Sequence, residues 1–222
     1  MKKIFALLTL IALTLTFAAC SSNDSITTTA DDKGTSAQAE TAKEDSTVTE
    51  TNPTSSENNT STNEKSIVVY FSATGTTKGV AEKIAAVTGA DTYEILAAQP
   101  YSEADLNWND SNSRTTIEQN DKTVRPEIGS EKISLDGYST IYIGFPIWWG
   151  EEPRIMDTFV ESYDFNDKTV IPFCTSGGSG IGSSGDNLKN NAGTGNWKSG
   201  ERLDSGVSES DLQSFIDNQL KE

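Results

Sequence analysis

The 222-residue chain contains no histidine. Without imidazole there is no Ser-His-Asp or Cys-His hydrolase, no imidazole zinc site and no phosphohistidine chemistry. Cysteine is nearly as scarce, with only Cys20 and Cys174. Cys174 closes the apolar run Val170 to Phe173, the place of a buried spacer at a strand end and not of an exposed nucleophile. Basic residues are outnumbered 17 to 33 by acids, a formal charge of −16, which excludes nucleic-acid binding. Long apolar runs are missing too, except for Ile4 to Ala19, which is short for a membrane span.

Lys2 and Lys3 precede that run and small residues end it before Cys20, the layout of a secretory signal over residues 1–19. The stretch Leu15, Thr16, Phe17, Ala18, Ala19 and Cys20 resembles the lipobox of bacterial lipoproteins. The resemblance implies cleavage before Cys20, acylation of that residue, and an extracytoplasmic location anchored by lipid to a bacterial membrane. An ordinary cleaved signal is the alternative. If Cys20 is acylated, no intramolecular disulfide can form. Residues 20–65 follow as a polar tether, rich in Ser, Thr, Asn, Asp and Glu, with Ile26 and Val48 as its only large apolar residues. Random-coil scaling gives about 45 such residues a reach of roughly 35 to 40 Å. From Ser21 to Lys65 there are nine acids and three bases, and from Ser66 to Glu222 there are 24 and 12, net −6 and −12. An acidic folded surface either serves solubility or steers the domain towards basic partners.

The folded part is expected over residues 66–222. Ile67 to Phe71 is an apolar run with almost no alternation, as in a parallel strand covered on both faces. A helix from Thr76 or Thr77 to about Val87 follows, with Val80, Ile84 and Val87 on one stripe and Gly89 as its stop. Further strands are expected at Thr92 to Leu96, Thr140 to Gly144 and Val170 to Cys174, with a short fifth within Glu201 to Val207. Pro172 cannot donate to a ladder and marks a bulge or one-sided pairing. Helices are expected over Arg154 to Tyr163 and Glu209 to Leu220, and Ser111 to Asn120 suits a short polar helix. Residues 97–136 form an unusually long connection, a covering excursion or a functional loop. Strands alternating with helices predict an α/β fold, a doubly wound five-stranded parallel sheet with helices on both faces.

Three strand ends carry unusual loops. After the first come Ser72, Ala73, Thr74, Gly75, Thr76 and Thr77, hydroxyls and amides able to converge on an anion at a helix N-terminus, although such residues also make ordinary turns. After the third come Pro146, Ile147, Trp148, Trp149 and Gly150, where an indole could present a flat face to a planar ring or simply cover the core. After the fourth comes a glycine- and serine-rich stretch beginning Thr175, Ser176, Gly177 and Gly178, which lets backbone approach a ligand closely. In a 2-1-3-4-5 strand order these loops share one crevice. The expected ligand has an anion at one end and a flat aromatic ring at the other.

Ser72 to Thr77, S-A-T-G-T-T, resembles the phosphate loop of flavodoxins, and Gly144 to Gly150, G-F-P-I-W-W-G, with Pro172 to Gly182, P-F-C-T-S-G-G-S-G-I-G, is similar to the flavin-contact loops of a bacterial flavodoxin-like family. The resemblance implies FMN as cofactor and a sheet in the order 2-1-3-4-5. It places the hydroxyls of Ser72, Thr74 and Thr77 and the amides of Ala73, Gly75 and Thr76 on the phosphate. Pro146, Trp148, Trp149 and Gly150 would flank the isoalloxazine, one tryptophan stacking on it. Thr175, Ser176, Gly177 and Gly178 would meet its other edge. Flavodoxins often stack a tyrosine from the loop after strand four, and no aromatic stands in Thr175 to Ser184, so the second ring face is covered differently or left open.

The same resemblance implies an FMN-binding electron-transfer protein, a redox carrier needing no catalytic acid or base. The alternatives are an FMN-dependent NAD(P)H:quinone-type reductase and a non-redox binding lipoprotein on the same fold. An acidic domain on a long tether suits docking on a basic, membrane-bound redox partner protein.

Overall fold

The computed structural model describes residues 65–222; the signal, Cys20 and the tether up to residue 64 lie outside the described residues. The chain begins with β1 (Lys65–Phe71), α1 (Thr76–Thr88) and β2 (Asp91–Ile95), a complete βαβ unit. A long connection carrying α2 (Arg114–Asn120) leads to β3 (Tyr138–Pro146). Then come α3 (Arg154–Glu161), β4 (Thr169–Thr175), α4 (Ser184–Ala192), the short strands β5 (Asn196–Trp197) and β6 (Glu201–Arg202), and α5 (Glu209–Lys221). The strands pair in parallel in the order β2-β1-β3-β4-β5, the doubly wound arrangement expected, with β6 also on β4.

Alternate residues of each strand point to opposite faces, and both faces are buried. Ile67, Val69, Phe71, Ile141, Ile143 and Phe145 pack with Ile155, Met156 and Phe159 of α3 and Leu188 of α4. Val68, Tyr70, Tyr142, Ile171 and Phe173 pack with Val80 and Ile84 of α1 and with Leu212, Phe215 and Ile216 of α5. That double cover is why β1 reads as an unbroken apolar run, each fully buried side chain contributing about 1.5 to 3 kcal/mol. Gly89, at φ 69°, ends α1 by donating its amide to the Ala85 carbonyl. Ser208 starts α5 by accepting from the Asp211 amide.

Two features differ from the sequence reading. α4 was not anticipated, because Leu188 is its only large apolar residue and its sequence, SGDNLKNNA, shows no stripe. The fifth sheet position, expected within residues 201–207, is shared by β5 and β6. Pro172 explains the division. Lys198 donates to the Val170 carbonyl and Leu203 to that of Cys174, so Val170 and Cys174, and Pro172 between them, turn their backbone polar groups towards this edge. The absent proline N–H falls where β5 has ended and β6 has not begun, while pairing with β3 runs unbroken through Ile143 and Pro172. Gly200 lies against the Pro172 carbonyl, too close for any Cβ.

Gly144 of β3 stands in register with Phe173 of β4, and a Cβ at Gly144 would land on the Phe173 ring. Gly144→Ala is therefore expected to destabilise the protein by about 1 to 3 kcal/mol in urea unfolding, and adding Phe173→Leu should recover part of the loss. A neutral Gly144→Ala would contradict this packing.

Candidate functional site

The loop between β1 and α1 places Gly75 at the helix N-cap with φ 86°, in the left-handed region that glycine adopts without steric cost. No side chain caps α1 and no acid stands in its first turn, so the first-turn amides remain free for an anion. Ser72 adds a second observation: its Oγ is buried and has no hydrogen-bond partner. Thr74 and Thr76 are exposed, their hydroxyls 3.5 Å apart. Thr77 is buried, and its hydroxyl lies 2.8 Å from that of Thr175 at the end of β4. The first and third loops are thus joined directly. Lys78, the nearest cation along the helix, is paired with Glu94 at 2.9 Å.

After β3 the chain makes a tight turn closed by two backbone bonds between Trp148 and Glu151, of 2.9 and 3.0 Å. Its central residues, Trp149 and Gly150, have φ 50° and 83°, the pair of positive values a type I′ turn requires. Glycine accepts this conformation freely, but for Trp149 it costs roughly 1 to 2 kcal/mol. The turn separates the two indoles. Trp148 packs edge-on against Phe71 and Tyr101, with centroids 5.5 and 5.2 Å away, whereas Trp149 remains 44% exposed at the tip.

A buried polar network holds this turn. The Gln119 side chain donates to the carbonyls of Trp148 (2.8 Å) and Glu152 (3.0 Å) and accepts from Arg154 Nε (2.7 Å). Arg154 also reaches Glu151 at 2.7 Å, Asp157 at 3.0 Å and Glu152 at 3.5 Å. From α4, Asn187 donates to Glu152 and Asn191 to Asp157. The unanticipated helix therefore supplies the amides that satisfy two buried carboxylates. Burial holds the carboxyls of Glu152 and Asp157 above their ordinary values.

The three loops meet the long connection around a cavity of about 460 Å³. Thr74, Trp148, Trp149, Gly150 and Ser179 line it from the loops, and Leu106, Trp108 and Thr115 from the connection. None of its lining residues is charged. Of the other anticipated residues, Ser72 and Ala73 line a smaller hollow of about 330 Å³ on the β2 side, with Tyr101. Gly75 and Thr76 lie exposed where α1 begins, and Pro146 is half-buried at the end of β3. Ser176 donates its hydroxyl to the Ser179 carbonyl and accepts from the Gly178 amide, while Gly177 and Gly178 are exposed with open space around them. Cys174 is fully buried and its thiol is pushed up to about 12 by burial, so it is inert as a nucleophile. Sequence reasoning missed Leu106, Trp108 and Thr115 as site residues. Trp108 was the available clue, a large apolar residue among Asn, Asp and Ser.

Among the described residues no cluster suited to a metal ion is present, and no helix is long and apolar enough to cross a membrane. Residues 65–219 match the model of a protein family described as flavodoxin. Crystal structures of proteins assigned as flavoproteins from Bacteroides eggerthii and Bacteroides uniformis are each 46% identical to the chain. They cover 70% and 69% of it and 98% and 97% of their own lengths, with TM-scores of 0.67 and 0.66. A flavoprotein from Lactobacillus acidophilus, crystallised in complex with FMN, shares the fold at 24% identity and a TM-score of 0.52, covering 69% of this chain and 99% of its own. A search of curated proteins finds no match.

The buried acids beneath the turn give the network a pH signature. Because burial raises the folded values of Glu152 and Asp157, the folded state holds protons that the unfolded chain has already released. Their contribution to stability is present at low pH and is lost as pH rises from the ordinary values, 3.8 for Asp157 and 4.5 for Glu152, through the raised folded ones. Unfolding free energies measured across this range should show Glu152→Gln gaining on the wild type as pH rises. A difference independent of pH would contradict the burial of an ionising carboxyl there.

Proposed function

This chain belongs to the flavodoxin family, and on that footing we propose that it is an FMN-binding electron-transfer protein, held outside the cell by lipid on Cys20. The observation that carries the flavin reading is the unpartnered, buried Ser72 hydroxyl beside the uncapped start of α1. An anion there gives that hydroxyl the partner it lacks and complements the helix field. The Lactobacillus acidophilus complex supports FMN as the ligand.

Bound FMN supplies one- and two-electron transfer, and the chain's own groups set the conditions. Ser72, Thr74 and Thr77 with the amides of Ala73, Gly75 and Thr76 would hold the phosphate. Thr77 has a second task, since its hydroxyl fixes the first loop to Thr175. Gln119 and Arg154 hold the Trp148–Glu151 turn so that Trp149 and Gly150 bound the ring. The uncharged cavity lining offers no cation to stabilise added negative charge, which favours a low potential. Acids exceed bases by 24 to 12 over Ser66 to Glu222, which favours a basic, membrane-bound redox partner over nucleic acid.

Adding FMN to the purified protein should give a yellow complex with quenched flavin fluorescence, reducible in two resolved one-electron steps. Rapid turnover with NADH or NADPH and a quinone would instead favour the reductase reading. Ser72→Ala should weaken FMN about tenfold, the loss of one charge-assisted hydrogen bond, and leave riboflavin binding unchanged. Without ligand the same variant should be as stable as the wild type or more so, because it removes a buried orphan hydroxyl. Equal losses for FMN and riboflavin would contradict the phosphate assignment. Mass spectrometry of the mature protein should find acyl groups on Cys20, and an unmodified first residue would count against the anchor.

A further inference from the structure

The loop after β4 has no aromatic to lay on a flavin, and its single large apolar residue, Ile181, packs against the core. Trp148 is already committed to Phe71 and Tyr101. Trp149 is thus left as one free indole at the cavity, with one ring face of any planar ligand still to be covered. The connection between β2 and β3 brings a second. Trp108 lines the same cavity and is 73% exposed. Such exposure of an indole leaves apolar area that a planar ligand would remove from water.

Trp108 does not sit on a slack loop. Before it, the Ser102 amide and hydroxyl both donate to Asp105, and the Leu106 amide donates to the Ser102 carbonyl. Thr115 donates its amide and hydroxyl to the Asp105 carbonyl at 3.1 and 2.7 Å. Beyond it, the Asp110 amide donates to the Asn107 carbonyl, and the Thr116 hydroxyl and Ser113 amide donate to the Asp110 carbonyl. The N-terminal half of α2 therefore pins the segment on both sides of Trp108. The last turn of the same helix carries Gln119, which holds the carbonyls of Trp148 and Glu152. One seven-residue helix sets the Trp108 platform and the Trp148–Glu151 turn relative to each other, and ordering of this kind is what preorganises a binding cleft.

We infer that Trp108 supplies a second aromatic wall of the flavin ring beside Trp149, in a cleft whose loop after β4 carries no aromatic. The inference rests on the flavin reading of the same cleft. It assigns the long connection a binding role and makes the ring site depend on α2.

Flavin affinity and bound-flavin fluorescence test it, measured with FMN and riboflavin on the full chain as wild type, Trp108→Ala and Trp108→Phe. Because Trp108 would touch the ring and not the phosphate, Trp108→Ala should weaken both ligands by the same factor, roughly 5- to 100-fold, with part of the quenched emission restored. Trp108→Phe should recover most of the affinity. The side chain is exposed, so thermal unfolding of the unliganded variants should match the wild type. FMN bound by Trp108→Ala with wild-type affinity and quenching overturns the inference alone, as does a loss confined to FMN. Failure of the wild type to bind FMN overturns it together with the flavin reading.

Discussion

The guanidinium of Arg154, 3% exposed, is the constraint on which the candidate site depends. It meets Gln119 of α2 and the carboxylates of Glu151, Glu152 and Asp157, which α4 in turn supports through Asn187 and Asn191. A buried arginine is tolerable only when its donors and the charges around it are matched, and here the matched groups come from three separate stretches of chain, Gln119, Glu151 to Asp157 and the α4 amides behind the acids. Removing Arg154 leaves the carboxyls of Glu152 and Asp157 buried without their cation, at a cost of several kcal/mol. The Trp148–Glu151 turn, with Trp149 at a positive φ, is held against its own strain by this cluster.

Around that anchor the cleft is assembled from parts that are each unremarkable alone. β1 ends in hydroxyls, β3 in an indole pair and β4 in a glycine- and serine-rich run, and parallel pairing of the three strands puts all three at the same end of the sheet. The Thr77–Thr175 contact then ties the first loop to the third. The resulting cleft is uncharged at the cavity, on a domain in which acids outnumber bases by 24 to 12.

Much of this was readable from residue pattern. Runs such as Ile67 to Phe71 declare a strand covered on both faces, and the loops declared themselves because hydroxyls, indoles or glycines follow such runs directly. The parts that stayed hidden have a common physical cause: their order comes from distant partners. Residues 97–136 have no period, since Tyr101 packs on Trp148, its hydroxyl bonds Glu118, and Trp108 is placed through Asp105 and Asp110 by α2. α4 is polar because its inward task is to meet Glu152 and Asp157 as well as to bury Leu188. Arg154 and Gln119 are polar residues of short helices with nothing in the local pattern to mark them as buried, and only the fold reveals that they are.

On the reading proposed above, one cleft, made by three strand-end loops and the β2–β3 connection, holds FMN with its phosphate at the start of α1. The most direct test is an amide-resolved NMR titration of the protein with FMN. FMN bound in this cleft should give large shifts at Ser72 to Thr77, at Trp149 and Gly150, at Ser176 to Gly178 and at the Trp108 indole N–H, with α5 unchanged. Shifts confined to another face of the sheet, or none at saturating FMN, would contradict it.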